Sequence, residues 1–519
     1  MDRYYRRIVL AGGIAAIAFF AFYLLAASMT RGVTSDEQMY CTGGYLISKG
    51  LMIYRDFSYV AQLPYHPLLL GVIYKLTGTT YYLLTARLVS VFFDVCIAVC
   101  IFSILRKIFR EHYYWGILIA IAGTALFVFN PMVSYLLGLA WNHDMALLCI
   151  VGSFRIFMGI DWADTQAPPV QARGLNVCMR IGIIASLLTI AVWTRITSVF
   201  VLPIFGTMLI IKNSKNRGCA ILAMTIGMII FSIVPVLIMI LSGKSFFINI
   251  ITMPILNSAL LHKLHIAYDK GYLTLMILRN KEYLFLLLFA IVLCIYCICM
   301  RKRINFSQKL NAMLAILLFV VSIVIAYFPP TMWRQYFGIP VLFFIIVVGF
   351  SLLYLRSMAI IWPFRIFAVL FLGLTIFTIV SQKPITKISK FLAMKNLPPA
   401  KLHEISRCIV SKAGTSGKIL TLSPLYVVEG GGKIYTELSA GAFGFRVADS
   451  LTEPQRAASH TAGVKEFSEI VGNNPPAAIV IGPELTRFEK IDLRGLVPAN
   501  WARMNCEPSV HVFVPSDTD

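Results

Sequence analysis

Charged residues are scarce in this chain, and acidic residues are the scarcest of them. Only 13% of the 519 residues are charged, with 24 Asp and Glu against 46 Lys and Arg. This charged fraction is about half of what soluble proteins carry, which excludes a disordered chain, a coiled coil and an ordinary cytosolic enzyme. The sequence also lacks a repeat of fixed period and any low-complexity segment. Many transporters are built from internal repeats, so this absence disfavours that class.

The sequence contains long hydrophobic runs with few charged residues. Hydrophobic residues make up 58% of the chain, and its mean hydropathy is +0.78. A helix needs about 20 apolar residues to cross a bilayer, and we predict eleven such helices. The first run is longer than the core of a signal peptide, so we interpret it as an uncleaved anchor. The predicted spans are approximately residues 8–27, 83–105, 114–134, 138–160, 180–194, 197–211, 219–241, 282–300, 311–329, 335–355 and 359–380.

The positive charge is distributed as in a membrane protein. Residues 1–383 hold 31 Lys and Arg but 11 Asp and Glu, whereas residues 384–519 hold 15 and 13. Basic residues stand at alternate junctions between the predicted spans, as the positive-inside rule requires. The net charge of +22 is therefore explained by membrane orientation, and we expect no nucleic-acid partner. The pattern predicts a cytoplasmic N-terminus and an extracytoplasmic C-terminus.

Three parts of the sequence are predicted to lie outside the spans. The first outer segment, 29–82, contains a run with helical spacing at 36–50 that suits the membrane interface, and an apolar piece at 67–77 that is too short to cross. The second outer segment is 242–281. Residues 384–519 form the third part, a small α/β domain after the transmembrane domain 1–383. In it we predict a helix at 401–412, a turn at 430–432, and strands at 418–428, 477–481 and 510–514.

Cysteine offers little chemistry, although the chain has eleven. Cys294, Cys297 and Cys299 lie inside a predicted span without histidine or acidic neighbours, so they indicate small buried side chains rather than a metal site. Cys408 and Cys506 lie in the polar tail. They are able to pair if the tail is extracytoplasmic, but their spacing alone leaves that open.

Acidic residues at the edge of a membrane need a reason, because a charge there is unfavourable. Asp36 and Glu37 follow the first span, where two compatible interpretations exist. Ser35 or Asp36 caps the interfacial helix with Glu37 in its first turn, or a carboxylate held by that helix start acts in catalysis. Asp144 opens the fourth span, either as a helix-start acid or facing Asp36 across an outward cavity. Asp94 lies near the middle of a span, which favours a buried structural residue.

Two arginines break the rule that the short outer loops carry no charge. Arg195 lies at the tip of a short hairpin formed by residues 180–211, and Arg334 precedes the tenth span. Each side chain either snorkels to lipid headgroups or belongs to a cationic cradle for phosphate, which suits the planar fork of a guanidinium. Carboxylates and guanidiniums that converge on the outer leaflet indicate chemistry on a lipid-linked phosphate.

The order of several motifs resembles that of the GT-C membrane glycosyltransferases. After the first span come Asp36-Glu37 with Tyr40, then Gly50-Leu51-x-x-Tyr54-x-Asp56, Tyr65-His66-Pro67-Leu68, and Arg87 in the second span. Asn142-His143-Asp144 stands where this family has its second acidic loop. Trp333-Arg334-Gln335-Tyr336-Phe337, followed by Pro340, resembles the family's late-span motif. The nearest branch contains the bacterial protein mannosyltransferases, the lipid A aminoarabinose transferase and the lipopolysaccharide-core sugar transferases. The resemblance covers about residues 1–380.

The resemblance implies a function and a set of site residues. Members of the family transfer a sugar from a polyprenyl-phosphate carrier to a glycan, lipid or protein acceptor, on the extracytoplasmic face and with inversion. This implies a multi-pass protein of the bacterial inner membrane. The expected catalytic residues are Asp36, Glu37 and Asp144, the expected donor-phosphate ligands are Arg195, Arg334 and Tyr336, and the expected substrate-binding residues are Tyr40, His66, Asn142 and His143.

One motif departs from the family, and two other functions stay open. Aminoarabinose transferases have Glu-Lys-Pro where this chain has Gln62-Leu63-Pro64. The missing lysine and acid weaken a specific aminoarabinose assignment and a metal requirement, so no cofactor is assigned and a divalent metal stays open.

The alternative functions are a lipid-carrier flippase or secondary transporter, and a receptor or assembly scaffold. The acidic motif after the first span favours the enzyme over both.

Overall fold

The computed structural model describes residues 2–160, 172–265, 269–299, 306–329, 331–358, 361–414, 417–482 and 497–516. It confirms the predicted class, a polytopic helical membrane protein with a small C-terminal domain that contains a sheet. The apolar part comes first in the chain, and the sheet domain follows it.

In the described residues, eighteen α-helices make up the membrane part and its outer segments. The first nine are α1 (Asp2–Met29), α2 (Ser35–Ser48), α3 (Tyr65–Thr77), α4 (Tyr82–Ile108), α5 (Tyr113–Val128), α6 (Pro131–Ser134), α7 (His143–Phe157), α8 (Ala172–Thr194) and α9 (Val201–Lys212). The others are α10 (Arg217–Ile230), α11 (Ile233–Ser242), α12 (Lys244–Phe247), α13 (Met253–Lys263), α14 (Lys270–Leu278), α15 (Lys281–Cys299), α16 (Phe306–Tyr327), α17 (Gly338–Arg356) and α18 (Trp362–Gln382).

All eleven predicted spans correspond to helices, but not all of these are long. Eight helical stretches in the described residues are long and apolar enough to cross a membrane, and seven of them coincide with predicted spans. The predicted span 219–241 is the pair α10 and α11, bent by 45°. Three others are short: α5 ends at Val128 because Asn130 caps the separate helix α6, α7 has 15 residues, and α9 is entered through a 3₁₀ turn at Ile196–Phe200.

The eighth long stretch, Lys244–Lys263, falls in the second outer segment, where the sequence predicted no span. Its contacts support an outer position. The carbonyl of Asn249 accepts a hydrogen bond from the Ala61 amide at 3.0 Å, and the side chain of Asn249 accepts one from the Ser58 hydroxyl at 2.8 Å. The stretch also packs on two helices of the C-terminal domain. It is therefore a layer between the bundle and that domain.

Helix α17 is the centre of the bundle. It packs against α4, α5, α15, α16 and α18. Of the residues in its most apolar stretch, 72% are buried. Its side chains are hydrophobic on all sides, which is typical of a helix surrounded by other helices. By contrast, only 17% of the residues in the most apolar stretch of α15 are buried, so α15 lies at the periphery of the bundle.

The part of the C-terminal domain that the structure describes has six further helices and five strands. The helices are α19 (Pro384–Ala393), α20 (Pro398–Ala413), α21 (Leu425–Val428), α22 (Ala442–Ala448), α23 (Glu453–Ser459) and α24 (Val464–Asn473). The strands are β1 (Lys418–Thr421), β2 (Lys433–Ile434), β3 (Ala478–Ile481), β4 (Trp501–Glu507) and β5 (Val510–Pro515). The sheet order is β2-β1-β3-β5-β4, parallel between β1 and its neighbours and antiparallel at the β5 side.

The tail agrees with the sequence except at one run. The predicted helix at 401–412 is part of α20, and the predicted strands at 477–481 and 510–514 are β3 and β5. The run 418–428 is a strand only to Thr421 and then turns into α21, because Pro424 starts a helical turn. The left-handed residue Lys383 ends α18 next to the predicted domain boundary.

The structure contains two disulfides. Cys408 and Cys506 are bonded and link α20 to β4, which decides the pairing that spacing had left open. Cys178 and Cys219 are also bonded and join the first parts of α8 and α10, a pair that the sequence did not indicate.

Candidate active site

The candidate site begins at the first turn of α2, directly after α1. The Thr34 hydroxyl accepts a hydrogen bond from the Glu37 amide at 3.3 Å, and the Glu37 carboxylate accepts one from the Thr34 amide at 3.1 Å. This reciprocal pair is a capping box, so the cap is Thr34 rather than Ser35 or Asp36. Asp36 lies in the first turn, where the helix dipole favours a carboxylate. The helix start thus holds Asp36 and Glu37 in fixed positions.

The carboxylate of Glu37 forms a buried ion pair with Arg87. Arg87 Nε lies 2.8 Å from one carboxylate oxygen, Nη2 lies 2.9 Å from the other, and neither side chain is exposed. The Ala140 amide also donates to Glu37 at 2.9 Å. Arg87 donates further to the carbonyls of Ser28 and Gly32 at the end of α1. The pair therefore joins α1, α2, α4 and the loop before α7, and it sets the position of the neighbouring Asp36.

Asp36 is only half-buried, and the charges of two arginines act on its carboxylate. The pKa of Asp36 is raised to about 6, mainly by burial and also by the negative charge of Glu37. The positive charges of Arg446 and Arg195 act in the opposite direction, with Arg446 the stronger. A carboxyl group with such a pKa is ionised near neutral pH and still basic enough to accept a proton.

Asn142 connects the four segments around the site. Its side-chain amide donates to the carbonyl of Thr194 and to the side chain of Gln62, both at 2.8 Å. Its side-chain oxygen accepts a hydrogen bond from the Tyr40 hydroxyl at 3.2 Å. Because Asn142 is completely buried, these bonds hold α2, the loop before α3, the start of α7 and the end of α8 together.

Arg195 is presented to the site by the break between α8 and α9. Its backbone is extended, and its side chain is held by Thr197 at 3.2 Å. One guanidinium nitrogen lies 2.8 Å from Nδ1 of His143. The guanidinium also lies over the ring of Tyr336, 4.8 Å from its centre. The sequence had placed Arg195 at a hairpin tip, and the structure turns its side chain back toward α7 and Tyr336.

The rings of Tyr40 and His66 form the inner wall. They are buried and pack edge to face, with centres 5.2 Å apart. Burial lowers the pKa of His66 to about 3, so this histidine is neutral at physiological pH. Burial and the charge of Asp36 raise the pKa of Tyr40, so it is a neutral hydrogen-bond donor.

A narrow apolar crevice adjoins the cationic side of the site. His143, Arg195 and Thr197 line it together with hydrophobic side chains from α7, α9, α16 and α17. Leu147, Ile150, Val201, Leu318, Val321 and Phe343 are among these hydrophobic residues. A group that combines an anion with a hydrocarbon chain fits this combination, because the guanidinium binds the former and the crevice the latter.

No protein-family model and no curated protein matches this chain, but solved structures share its fold. The crystal structure of ArnT from Cupriavidus metallidurans bound to undecaprenyl phosphate has a TM-score of 0.62 at 11% identity, covering 100% of this chain and 99% of that chain. The apo ArnT structure gives 0.58 and 12%, covering 99% and 98%. The Archaeoglobus fulgidus oligosaccharyltransferase tethered with an acceptor peptide gives 0.50 and 10%, covering 91% and 69%. The chain has the GT-C fold.

Most of the residues expected from the sequence lie together. Tyr40 bonds to Asn142, Arg195 contacts His143 and Tyr336, and His66 packs on Tyr40. Asp36 interacts electrostatically with Tyr40 and Arg195. A half-buried carboxylate thus lies within electrostatic range of a guanidinium that lines the apolar crevice.

Three expected residues are bound by other partners, namely Glu37, Asp144 and Arg334. Glu37 is committed to its pair with Arg87. Asp144 is completely buried and lies beside Asp94 and Ser90 between α4 and α7 rather than facing Asp36. The expectation of an Asp144–Asp36 cavity is therefore wrong in its geometry, because the side chain at this helix position points into the α4 interface. Asp94 accepts a hydrogen bond from the Gly138 amide at 2.9 Å, as expected of a structural acid.

Arg334 also points away from the site. Its guanidinium contacts the hydroxyl of Tyr135 at 3.2 Å and the sulfur of Met276 at 3.6 Å. Tyr336, two residues later, is turned toward Arg195 because Arg334–Phe337 is a single 3₁₀ turn. The two arginines that the sequence treated alike therefore have different surroundings.

Two site residues were not found from the sequence. Gln62 binds Asn142 and occupies the motif position at which the sequence departs from aminoarabinose transferases. Arg446 comes from the C-terminal domain, and no local signal distinguishes it from the other basic residues of the tail. Within the described parts of the chain, no three His, Cys, Asp or Glu side chains are grouped so that they could hold a metal ion.

Proposed function

We propose that this protein is a glycosyltransferase that moves a sugar from a polyprenyl-phosphate carrier to an envelope acceptor, with inversion at the anomeric carbon. The observation that carries the proposal is that Asp36 lies within electrostatic range of Arg195, and that Arg195 borders an apolar crevice. A lipid-linked sugar phosphate needs these three elements: a base for the acceptor, a cation for the leaving phosphate and an apolar surface for the lipid. The fold supports this, since a structure that shares it contains undecaprenyl phosphate.

The residues of the site divide the reaction between them. Asp36 accepts the proton of the acceptor hydroxyl while the acceptor oxygen bonds to the anomeric carbon. The bond between that carbon and the phosphate oxygen breaks, and the polyprenyl phosphate leaves with the electron pair toward Arg195 and Tyr336. Direct displacement of this kind inverts the configuration. Tyr40, His66, Asn142 and His143 form the surrounding wall and hold the sugar, and Glu37 and Arg87 hold Asp36 in place.

The proposed location is the bacterial inner membrane, with the N-terminus in the cytoplasm and the C-terminal domain outside. The basic junctions between the spans carry this orientation. The Cys408–Cys506 disulfide is of the kind that persists in an oxidising compartment. The Cys178–Cys219 bond joins helix ends that carry Arg180 and Arg217, on the side assigned to the cytoplasm. Disulfides alone therefore do not decide the orientation.

Mass spectrometry of envelope glycans from cells with and without this protein tests the function. We expect one sugar to be missing from one class of glycan, lipid or protein in cells that lack it, while its polyprenyl-phosphate-linked form accumulates. Re-expression of the wild-type chain should restore the glycan. Identical glycans in both strains would contradict a transferase.

Arg195→Ala should weaken binding of undecaprenyl phosphate by about 10- to 150-fold, because a hydrogen bond to a charged group contributes about 1.5–3 kcal/mol. Arg195→Lys should recover only part of the affinity, because an ammonium lacks the planar fork. The measurement is a titration of the purified protein with undecaprenyl phosphate, followed by native mass spectrometry.

Arg334→Ala is the matched control for this titration. The sequence predicted phosphate binding by both arginines, and this variant tests that prediction for Arg334. Because its guanidinium contacts Tyr135 and Met276, we expect the affinity to change by less than about threefold. If Arg195→Ala binds undecaprenyl phosphate with the affinity of the wild type, Arg195 does not bind the phosphate and the proposed position of the phosphate is wrong.

A further inference from the structure

The C-terminal domain is fastened to the bundle where α4 begins. Tyr81, the residue before α4, provides no side-chain cap. Instead the carboxylate of Glu429, a buried residue of the C-terminal domain, accepts a hydrogen bond from the Leu83 amide at 3.1 Å. Beside it, the ring of His403 stacks on Tyr81 with centres 3.8 Å apart. The domain thus supplies the cap that the helix lacks, which joins it firmly to the membrane part.

A second contact joins the domain to the first outer segment. The Ser439 hydroxyl donates to the carbonyl of Ser58 at 3.1 Å, and both residues are buried. Helix α22 follows directly and packs on α13. Gly441, which precedes α22, has φ +57, and a Cβ there would lie 2.7 Å from the carbonyl oxygen of Leu422. Only glycine suits this position, so the entry into α22 is tightly determined.

This docking brings α22 against the start of α2. A small cleft between them is lined by Ser35 and Gln38 on one side and by Gly441 and Phe443 on the other. Since Ser35 directly precedes Asp36, the N-terminal turn of α22 lies beside the proposed base.

Arg446 stands one turn further along α22 and packs on two residues of that helix that line the cleft. Its Nε donates to the carbonyl of Ala442 at 3.1 Å, and its guanidinium lies 4.5 Å from the ring centre of Phe443. Phe443 lines the cleft with Ser35, so the guanidinium lies on a ring that faces the first turn of α2, the turn that carries Asp36. Of the basic residues that act on this carboxyl, Arg446 has the largest effect, ahead of Arg195.

We propose that Arg446 is a positioning residue for Asp36, supplied to the membrane site by the C-terminal domain. A guanidinium beside a carboxylate favours its ionised form and limits its orientation. Arg195 approaches Asp36 from the break after α8, and Arg446 approaches from α22. The other titratable groups near the carboxyl are Glu37 and Tyr40 on α2 itself, and Tyr336 next to Arg195.

A consequence concerns the C-terminal domain as a whole. Under the proposed function, on which this consequence rests, the membrane domain alone contains an incomplete site. The domain contributes one of the two cations that face the base, and Glu429 and Ser439 keep that cation in place.

The proposal is tested by labelling Asp36 with dicyclohexylcarbodiimide, which attacks protonated carboxyl groups, over a range of pH values. Peptide mass spectrometry of the full-length protein in nanodiscs measures the labelled fraction and needs no substrate. In the wild type we expect half-maximal labelling near the Asp36 pKa of about 6. Arg446→Gln should move this midpoint upward by about one pH unit, the effect of one charge at roughly 10 Å in a protein-like medium. Arg446→Lys should keep most of the wild-type midpoint.

Arg503→Gln is the matched control, because Arg503 lies on β4 of the same domain and contacts His511. Its midpoint should equal that of the wild type. An unchanged midpoint in Arg446→Gln would overturn the proposal, and so would equal shifts in the Gln and Lys variants. Because labelling does not depend on turnover, the proposed transferase activity and the role of Arg446 can fail separately. An intact Cys408–Cys506 disulfide and a monodisperse elution profile show that each variant is folded.

Discussion

An Asp36→Asn variant is expected to turn over at least about 100-fold more slowly than the wild type, which is the low end of the contribution of a general base. Asparagine keeps the shape of the side chain but accepts no proton. The start of α2 does not depend on this carboxylate, because Thr34 and Glu37 form the cap. The variant should therefore insert, fold and bind undecaprenyl phosphate normally. Turnover is measured on the donor that accumulates in cells lacking the protein.

The pH dependence of the wild type provides a second readout of the same assignment. The pKa of Asp36 is raised to about 6, and the base must be ionised to act. Turnover should therefore be constant near neutral pH and fall about tenfold per pH unit below pH 6. Asp56→Asn is the control, since Asp56 lies in the same outer segment but pairs with Arg55 at the surface. Near-normal turnover in Asp36→Asn would contradict the assignment.

Replacing Arg87 with methionine should destabilise the protein by about 3–5 kcal/mol, the usual effect of removing one partner from a buried ion pair. The Glu37 carboxyl would stay in a site with no exposure and lose two of its hydrogen bonds. The carbonyls of Ser28 and Gly32 would lose their donor as well. The free energy of unfolding, measured by titration with sodium dodecyl sulfate and circular dichroism, reports this loss.

Arg55→Met is the matched control for the buried pair. Arg55 and Asp56 form an ion pair of similar length, 2.8 Å, but the arginine side chain is 51% exposed. An exposed pair contributes about 0–1 kcal/mol, so this variant should remain close to the wild type. The double variant Glu37→Gln, Arg87→Met should recover part of the stability, because it leaves no unpaired buried charge. Equal losses in Arg87→Met and Arg55→Met would show that Glu37 and Arg87 do not hold the helices together.

Much of the membrane part could be predicted because its signals are local. Each span is a contiguous apolar run, and a run of that length can satisfy its backbone in a bilayer only as a helix. The start of α2 was recognised from a capping residue and the acids after it, although Thr34 rather than Ser35 or Asp36 is the cap. Lys244–Lys263 shows that composition alone is ambiguous. It is long and apolar enough for a span, whereas the sequence analysis placed it in the second outer segment, and its contacts with the C-terminal domain support that position.

The candidate site was predicted in part. Tyr40, Asn142, His143, Arg195 and Tyr336 stand at helix starts and loop tips on one side of the membrane, so the alternation of spans alone brings them to the same leaflet. The direction in which a side chain points was not predictable. Asp144 turns into the α4 interface and Arg334 turns toward Tyr135, and both orientations follow from packing between helices far apart in the sequence.

The sequence by itself determined that this is a polytopic membrane protein with a polar tail, where most of its helices lie, and that Asp36 is held at a helix start. These properties depend on neighbouring residues, because hydropathy and capping act over a few turns of chain. Only the tertiary structure decided that Glu37 pairs with Arg87, that Asp144 lies beside Asp94, and that the charge of Arg446 in the C-terminal domain acts on Asp36. Those residues are far apart in the chain, and the last interaction exists only after the C-terminal domain has docked on the bundle.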